Sequence, residues 1–163
     1  MGSSAGARHG ACCVSELAPI RLDMKLVGKE VRESFCLDAS VDDRALFQLA
    51  RTMCQDLDVP RQCEHVLVKA IKVQLDAYTS AEQASPANRQ ERLEVIKLDF
   101  HAGNIHIKDQ FVWDVGDPSS TPEDFAQVTC KDLNLPLRFV PEIAYHIREQ
   151  LVQIRQAGKK GMY

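Results

Sequence analysis

The chain has 163 residues, 45% hydrophobic and 26% charged, with a formal charge of −3. That suits one soluble domain or two small ones, and no apolar run approaches the ~20 residues of a membrane span. Repeat-like segments within it carry more carboxylates than cations, which argues against gripping phosphates directly, because nucleic-acid affinity is built from lysine and arginine.

Residues 1–18 hold one cation, Arg8, and a short apolar cluster from Ala11 to Val14, too brief for a secretory signal. Gly6 stands where a myristoylation signal wants serine or threonine. This segment reads as a disordered tail. The six cysteines show no disulfide-framework spacing, so reduced thiols are expected.

From residue 19 the apolar period is two. Ile20, Leu22, Met24 and Leu26 point one way and Arg21, Asp23 and Lys25 the other, which predicts a half-buried strand. A turn at Val27-Gly28-Lys29 leads to a second strand through Val31, Phe35 and Leu37. The period then becomes 3.6: Leu46, Leu49, Ala50, Met53, Cys54 and Leu57 share one helical face, with Ser40 or Asp42 as candidate caps. Pro60 ends that helix, and Cys63, Val66, Leu67, Ala70, Ile71, Leu75 and Tyr78 form the stripe of another. Residues 79–94 are polar with Pro86 and read as a linker, into which the preceding helix can extend. The same series then recurs: Ile96, Leu98 and Phe100, a turn at Ala102-Gly103-Asn104, and Ile105, Ile107, Phe111 and Trp113. Thr121 and Pro122 open the third helix, and Phe139, Ile143, Ile147, Leu151 and Ile154 mark the fourth.

Residues 20–78 laid on 96–154 match at 13 of 59 positions, among them Asp23/Asp99, Asp38/Asp114, Cys54/Cys130, Leu57/Leu133, Pro60/Pro136 and Gln74/Gln150. Ordinary composition yields about three or four. The chain is therefore α+β, two tandem ββαα repeats: repeat one over 19–78, linker 79–94, repeat two over 95–154, and a short basic tail over 155–163. A unit of about 60 residues buries a thin core and gains by packing against a neighbour.

Several residues invite a chemical reading. Asp56, Asp58 and Asp132 sit at the helix–helix turns, screened only by Lys131, either as solvated turn residues or as a partner contact. Asp23/Asp99 and Asp38/Asp114 recur at strand positions, where aspartate is disfavoured, and are expected to fix a turn or pair with Arg21 or Lys97. Lys69, Lys72, Asp76, Arg148 and Glu149 read as a mixed-charge solvated face. Cys54 and Cys63 with His65 could form a metal cluster or a thiol–imidazole pair, but Phe139 and Pro141 replace Cys63 and His65 in the copy, and no C-x-x-C pair occurs. No phosphate-binding glycine loop or nucleophile elbow occurs, so no catalytic residue, metal or cofactor is assigned.

The segments Ile107 to Asp114, Phe125 to Leu133, Ile147 to Leu151 and Pro19 to Asp23 resemble one family closely. This is the Snf-five-type core subunit of SWI/SNF chromatin-remodelling complexes, called integrase interactor in animals and BUSHY in plants. The resemblance covers residues 19–156 and implies a non-catalytic nuclear subunit that assembles the remodeller around its ATPase. Its repeats would dock on the SWIRM domains of scaffold subunits. It directs attention to Asp56, Leu57, Asp58, Asp132 and Leu133 as partner contacts. In the family a basic C-terminal helix can contact the nucleosome's acidic patch; here that segment is reduced, with Arg155, Lys159 and Lys160 as its cations. The winged-helix region of some animal members has no counterpart in these residues. Two rivals stand beside this reading: a free-standing adaptor for transcription factors, and a small thiol-dependent enzyme.

Overall fold

A computed structural model describes residues 16–83 and 91–160. Most of the N-terminal tail (1–15), the middle of the linker (84–90) and residues 161–163 lie outside them. The first unit comprises β1 (Leu17–Leu26), β2 (Lys29–Asp38), α1 (Asp43–Asp56) and α2 (Glu64–Gln83). The second comprises β3 (Leu93–Ala102), β4 (Ile105–Asp114), α3 (Pro122–Asp132) and α4 (Val140–Lys160). Each hairpin is a separate two-stranded antiparallel sheet, and each unit is ββαα. β1 begins inside the span read as tail, and α2 reaches Gln83 inside the span read as linker. α4 continues through Arg155 to Lys160. These helices run on because alanine, glutamine and lysine, all good helix formers, follow the last apolar position.

The two hairpins share one register. Leu17 faces Asp38 and Leu26 faces Lys29; 76 residues on, Leu93 faces Asp114 and Ala102 faces Ile105. Alternation carries Ile20, Leu22, Leu26 and Val31 into the first core, against Leu46, Ala50 and Cys54 of α1 and Leu67, Ile71 and Leu75 of α2. Ile96, Leu98, Ile107 and Trp113 do the same against Ala126 and Cys130 of α3 and Ile143, Ile147 and Leu151 of α4. The turns differ. Val27 and Gly28 both take positive φ, 48° and 84°, as a type I′ turn requires, although a β-branched residue is strained there. In the copy only Gly103 is positive, at 60°.

Asp42, not Ser40, caps α1: its carboxylate accepts from the Ala45 amide at 2.7 Å. Ser40 instead donates to Asp38 through its amide and hydroxyl. Thr121 caps α3, accepting from the Asp124 amide at 3.2 Å, with Pro122 at the first helical position. The matched glutamines have a strand-binding role. Gln74 accepts from the Arg21 amide at 2.8 Å and donates to the Arg21 carbonyl at 2.9 Å, so its side-chain amide substitutes for a missing strand. Gln150 makes the same pair with Lys97, accepting at 2.9 Å and donating to its carbonyl. A two-stranded hairpin has two unpaired edges, and this device satisfies part of one.

Candidate interaction surface

The acidic turns are built by helix termination. After α1, Leu57 donates to Met53, Asp58 to Gln55 and Val59 to Cys54, at 2.9, 3.1 and 2.9 Å. After α3, Leu133 donates to Thr129, Asn134 to Lys131 and Leu135 to Cys130, at 3.0, 3.2 and 2.7 Å. Both are Schellman ends, with Asp58 (φ 49°) and Asn134 (φ 51°) in the left-handed position and Val59 and Leu135 as the apolar residue beyond. Aspartate and asparagine are the non-glycine residues that tolerate it. Pro60 and Pro136 then prevent continuation of the helix.

This geometry holds Asp56, Asp58 and Asp132 in water. Leu57 is half-buried against the first core, whereas Leu133 is 52% exposed. One expectation is corrected: the first turn is not unscreened. Lys29, the first residue of β2, places Nζ 2.9 Å from Asp58 Oδ2 and also donates to the carbonyls of Leu57 and Asp58. Those bonds hold the Asp58 carboxyl below its usual range. The lysine comes from the hairpin, about 28 residues away, so the local sequence around the turn carried no sign of it. Among the described residues no hydrogen bond or ion pair joins the two turns; each is a separate surface.

Asp23 and Asp99 also find other partners than expected. Asp23 approaches Arg32 across the hairpin at 4.0 Å, and Asp99 meets His106 Nε2 at 2.6 Å, which lowers the Asp99 carboxyl. Neighbours on one strand point to opposite faces only at odd spacing; Arg21 shares the face of Asp23 but lies too far along it. Asp38 and Asp114 close the ends of their hairpins, accepting from the Ser40 and Gly116 amides at 2.8 and 2.9 Å.

The largest revision concerns Arg148, which leaves the solvated face for the seam between the repeats. It donates to both carboxylate oxygens of Glu123 at 2.7 and 2.6 Å and to the Leu17 carbonyl at 3.1 Å. Glu149 beside it lies 3.7 Å from Arg21. Tyr145 and Ser34 line the same groove, and Val152 packs on the core of the first repeat. Arg155 is paired with Glu82 of α2. Lys159 and Lys160 occupy the last turn of α4, their side chains outside the described ones. Helix α4 thus lies on the outer face of the β1–β2 hairpin, and a groove of about 710 Å³ runs along the contact.

The thiols fit packing better than reactivity. Cys54 and Cys63 are buried, and burial with the neighbouring Cys63 and Glu64 pushes the Cys54 thiol up, away from the thiolate a nucleophile needs. His65 stacks edge-on to Phe47 instead, at 5.3 Å between centroids. Glu64 is buried between Arg51 and Arg61, at 3.4 and 3.1 Å.

A model of the SNF5 / SMARCB1 / INI1 family matches residues 10–161. The chain is 34% identical over 139 residues to "Chromatin structure-remodeling complex protein BSH" of Arabidopsis thaliana, covering 85% of this chain and 58% of that protein. It is 28% identical over 171 positions to "SWI/SNF chromatin-remodeling complex subunit snf5" of Schizosaccharomyces pombe, covering 83% and 27%. It is 32% identical over 142 residues to "Chromatin structure-remodeling complex subunit SFH1" of Yarrowia lipolytica, covering 86% and 32%. The chain therefore spans a little over half of the plant relative and a third or less of the two fungal ones.

Proposed function

The chain belongs to the SNF5 / SMARCB1 / INI1 family, and we propose from that premise that it is a non-catalytic scaffold subunit of a SWI/SNF-type chromatin-remodelling complex. The observation that carries the reading is the family match across both repeats, 10–161, together with relatives that are themselves remodelling-complex subunits. In this role the repeats, 19–78 and 95–154, are the binding units, and the chain works in the nucleus beside the ATPase. SWIRM-containing scaffold subunits are the partners. Asp56, Leu57 and Asp58 in one repeat and Asp132 and Leu133 in the other supply the contacts. Their support is geometric: rigid Schellman ends present carboxylates beside a leucine, a preorganised patch that costs little entropy to dock. Arg155 is the weakest of the three cations for a nucleosome contact, being engaged with Glu82, so Lys159 and Lys160 would carry it.

Affinity purification of the tagged chain from nuclei, with quantitative mass spectrometry, tests the assignment. Recovery of a remodelling ATPase and a SWIRM protein in fixed stoichiometric ratio is expected; recovery without them sinks it and favours a free-standing adaptor. Asp56→Lys with Asp58→Lys should weaken SWIRM binding at least tenfold with an unchanged far-UV spectrum. Undiminished binding would remove the acidic turn from the interface.

A further inference from the structure

The repeats are packed head to tail, so one face that is covered in the first repeat is bare in the second. In hairpin one the outer face carries Leu17, Pro19 and Cys36, with Arg21 and Ser34 further along. Helix α4 lies there: Arg148 bonds Leu17, Glu149 meets Arg21, and Leu17 and Cys36 line the contact with Ala144 and Tyr145. All three apolar residues are at least half-buried. The register is conserved between hairpins, so the corresponding positions in hairpin two are Leu93, Val95 and Val112, with Lys97 in place of Arg21 and Gln110 in place of Ser34. These three residues are 59%, 47% and 63% exposed. A two-fold arrangement would have laid α2 on them; α2 is not there.

The replacements run in the direction of a stronger apolar site. Proline and cysteine become two valines, which face each other across the ladder, and leucine is kept. A face that simply met water would favour the polar alternation of a one-sided hairpin. Exposed apolar residues clustered in this way mark an interaction surface.

We propose that the outer face of the β3–β4 hairpin, centred on Leu93, Val95 and Val112, is the docking site for an amphipathic helix of a partner polypeptide, seated as α4 is seated on hairpin one. The occupant's chemistry follows from that template. It presents small and aromatic side chains to the valines, as Ala144 and Tyr145 do to Leu17 and Cys36. It also carries a carboxylate toward Lys97, as Glu149 does toward Arg21. The α4 of a second copy is unsuited, because its corresponding face is already occupied by its own first repeat. This site is distinct from the acidic turns, and it rests on the subunit reading only in placing the partner within a complex.

The test uses the full tagged chain with a photoreactive residue at one position, Val112→p-benzoylphenylalanine, irradiated in nuclear extract, and the adducts mapped by peptide sequencing. Cys36→p-benzoylphenylalanine is the control and should give adducts within α4. The expected result is an adduct to one segment of another polypeptide whose sequence has helical apolar periodicity and a carboxylate on its flank. Val95→Glu added to a Leu93→p-benzoylphenylalanine chain should lower that adduct at least tenfold with an unchanged far-UV spectrum. Adducts confined to this chain's own residues 1–15 or 84–90, adducts to a second copy, adducts to segments without helical periodicity, or none at all would each overturn the proposal. If the ATPase co-purifies but Val112 gives no partner adduct, the docking site falls and the subunit reading stands. If a helical adduct comes from a protein outside any remodeller, the reverse holds.

Discussion

Replacing Arg148 with methionine should uncouple the repeats. The change keeps an unbranched apolar stem, drops the guanidinium and removes three hydrogen bonds, two to Glu123 and one to the Leu17 carbonyl. Breaking a buried ion pair by deleting one member costs about 3–5 kcal/mol. Here the arginine is 15% exposed but Glu123 keeps 36% of its side chain in water and can rehydrate, which places the expected loss lower, at about 2–3 kcal/mol. With a urea m-value of about 2 kcal/mol/M, the midpoint should fall by about 1–1.5 M. The single tryptophan, Trp113, is buried in the second core, so its fluorescence reports that repeat alone, while far-UV circular dichroism reports both. The parent chain should give coincident curves, and Arg148→Met should separate them. The counterpart Lys72, whose contact is a surface pair with Asp43, should tolerate methionine within about 0.5 kcal/mol. Coincident curves and a loss under about 0.5 kcal/mol for Arg148→Met would refute the coupling argument, since a surface change of no consequence gives that result.

Val27→Asn should stabilise the chain by about 1 kcal/mol, because asparagine accepts the left-handed turn position that strains valine; a lower melting temperature would contradict the turn assignment. Gln74→Ala should lose about 1–2 kcal/mol. It should also accelerate hydrogen exchange at the Arg21 amide, and an unchanged rate there would show that the glutamine does not hold the strand edge. Burial pushes the Cys36 thiol from 9.0 to about 11, and the Cys54 and Cys130 thiols upward too. Above the ordinary thiol value the unfolded chain releases protons that the folded chain keeps, so stability falls as pH rises from about 9 toward 11. Urea midpoints across that window should drop less steeply in Cys36→Ala; parallel slopes would exclude Cys36 as a contributor.

The elements were readable because their signals are local. Period-two alternation gave way to period 3.6 twice, with glycine at the hairpin turns and proline after the first helices, and the second reading of each element checked the first. Contacts that depend on register or distance were not readable. Whether Asp23 meets Arg21 or Arg32 is decided by which residue the hairpin sets opposite it. Lys29 reaches the acidic turn only once β2 has been laid beside α1. Arg148 shows the limit most clearly: its bond to Leu17 joins residues 131 apart, and its sequence neighbours Glu149 and Gln150 are as polar as any solvated stretch. Gln74 and Gln150 were visible as matched positions, but nothing in a lone glutamine announces that it will bond a strand edge.

One consequence of α4's position concerns synthesis. Residues 140–155 complete the second core and at the same time cover the first hairpin, so a hairpin made early in the two repeats is closed by a helix made after it. Until those residues emerge, the nascent first repeat carries Leu17 and Cys36 without α4 over them, and among the described residues Gln74 holds the edge of β1 at Arg21. A message cut short before the codon for Val140 would thus damage both repeats, the second by deletion and the first by leaving it open to aggregation.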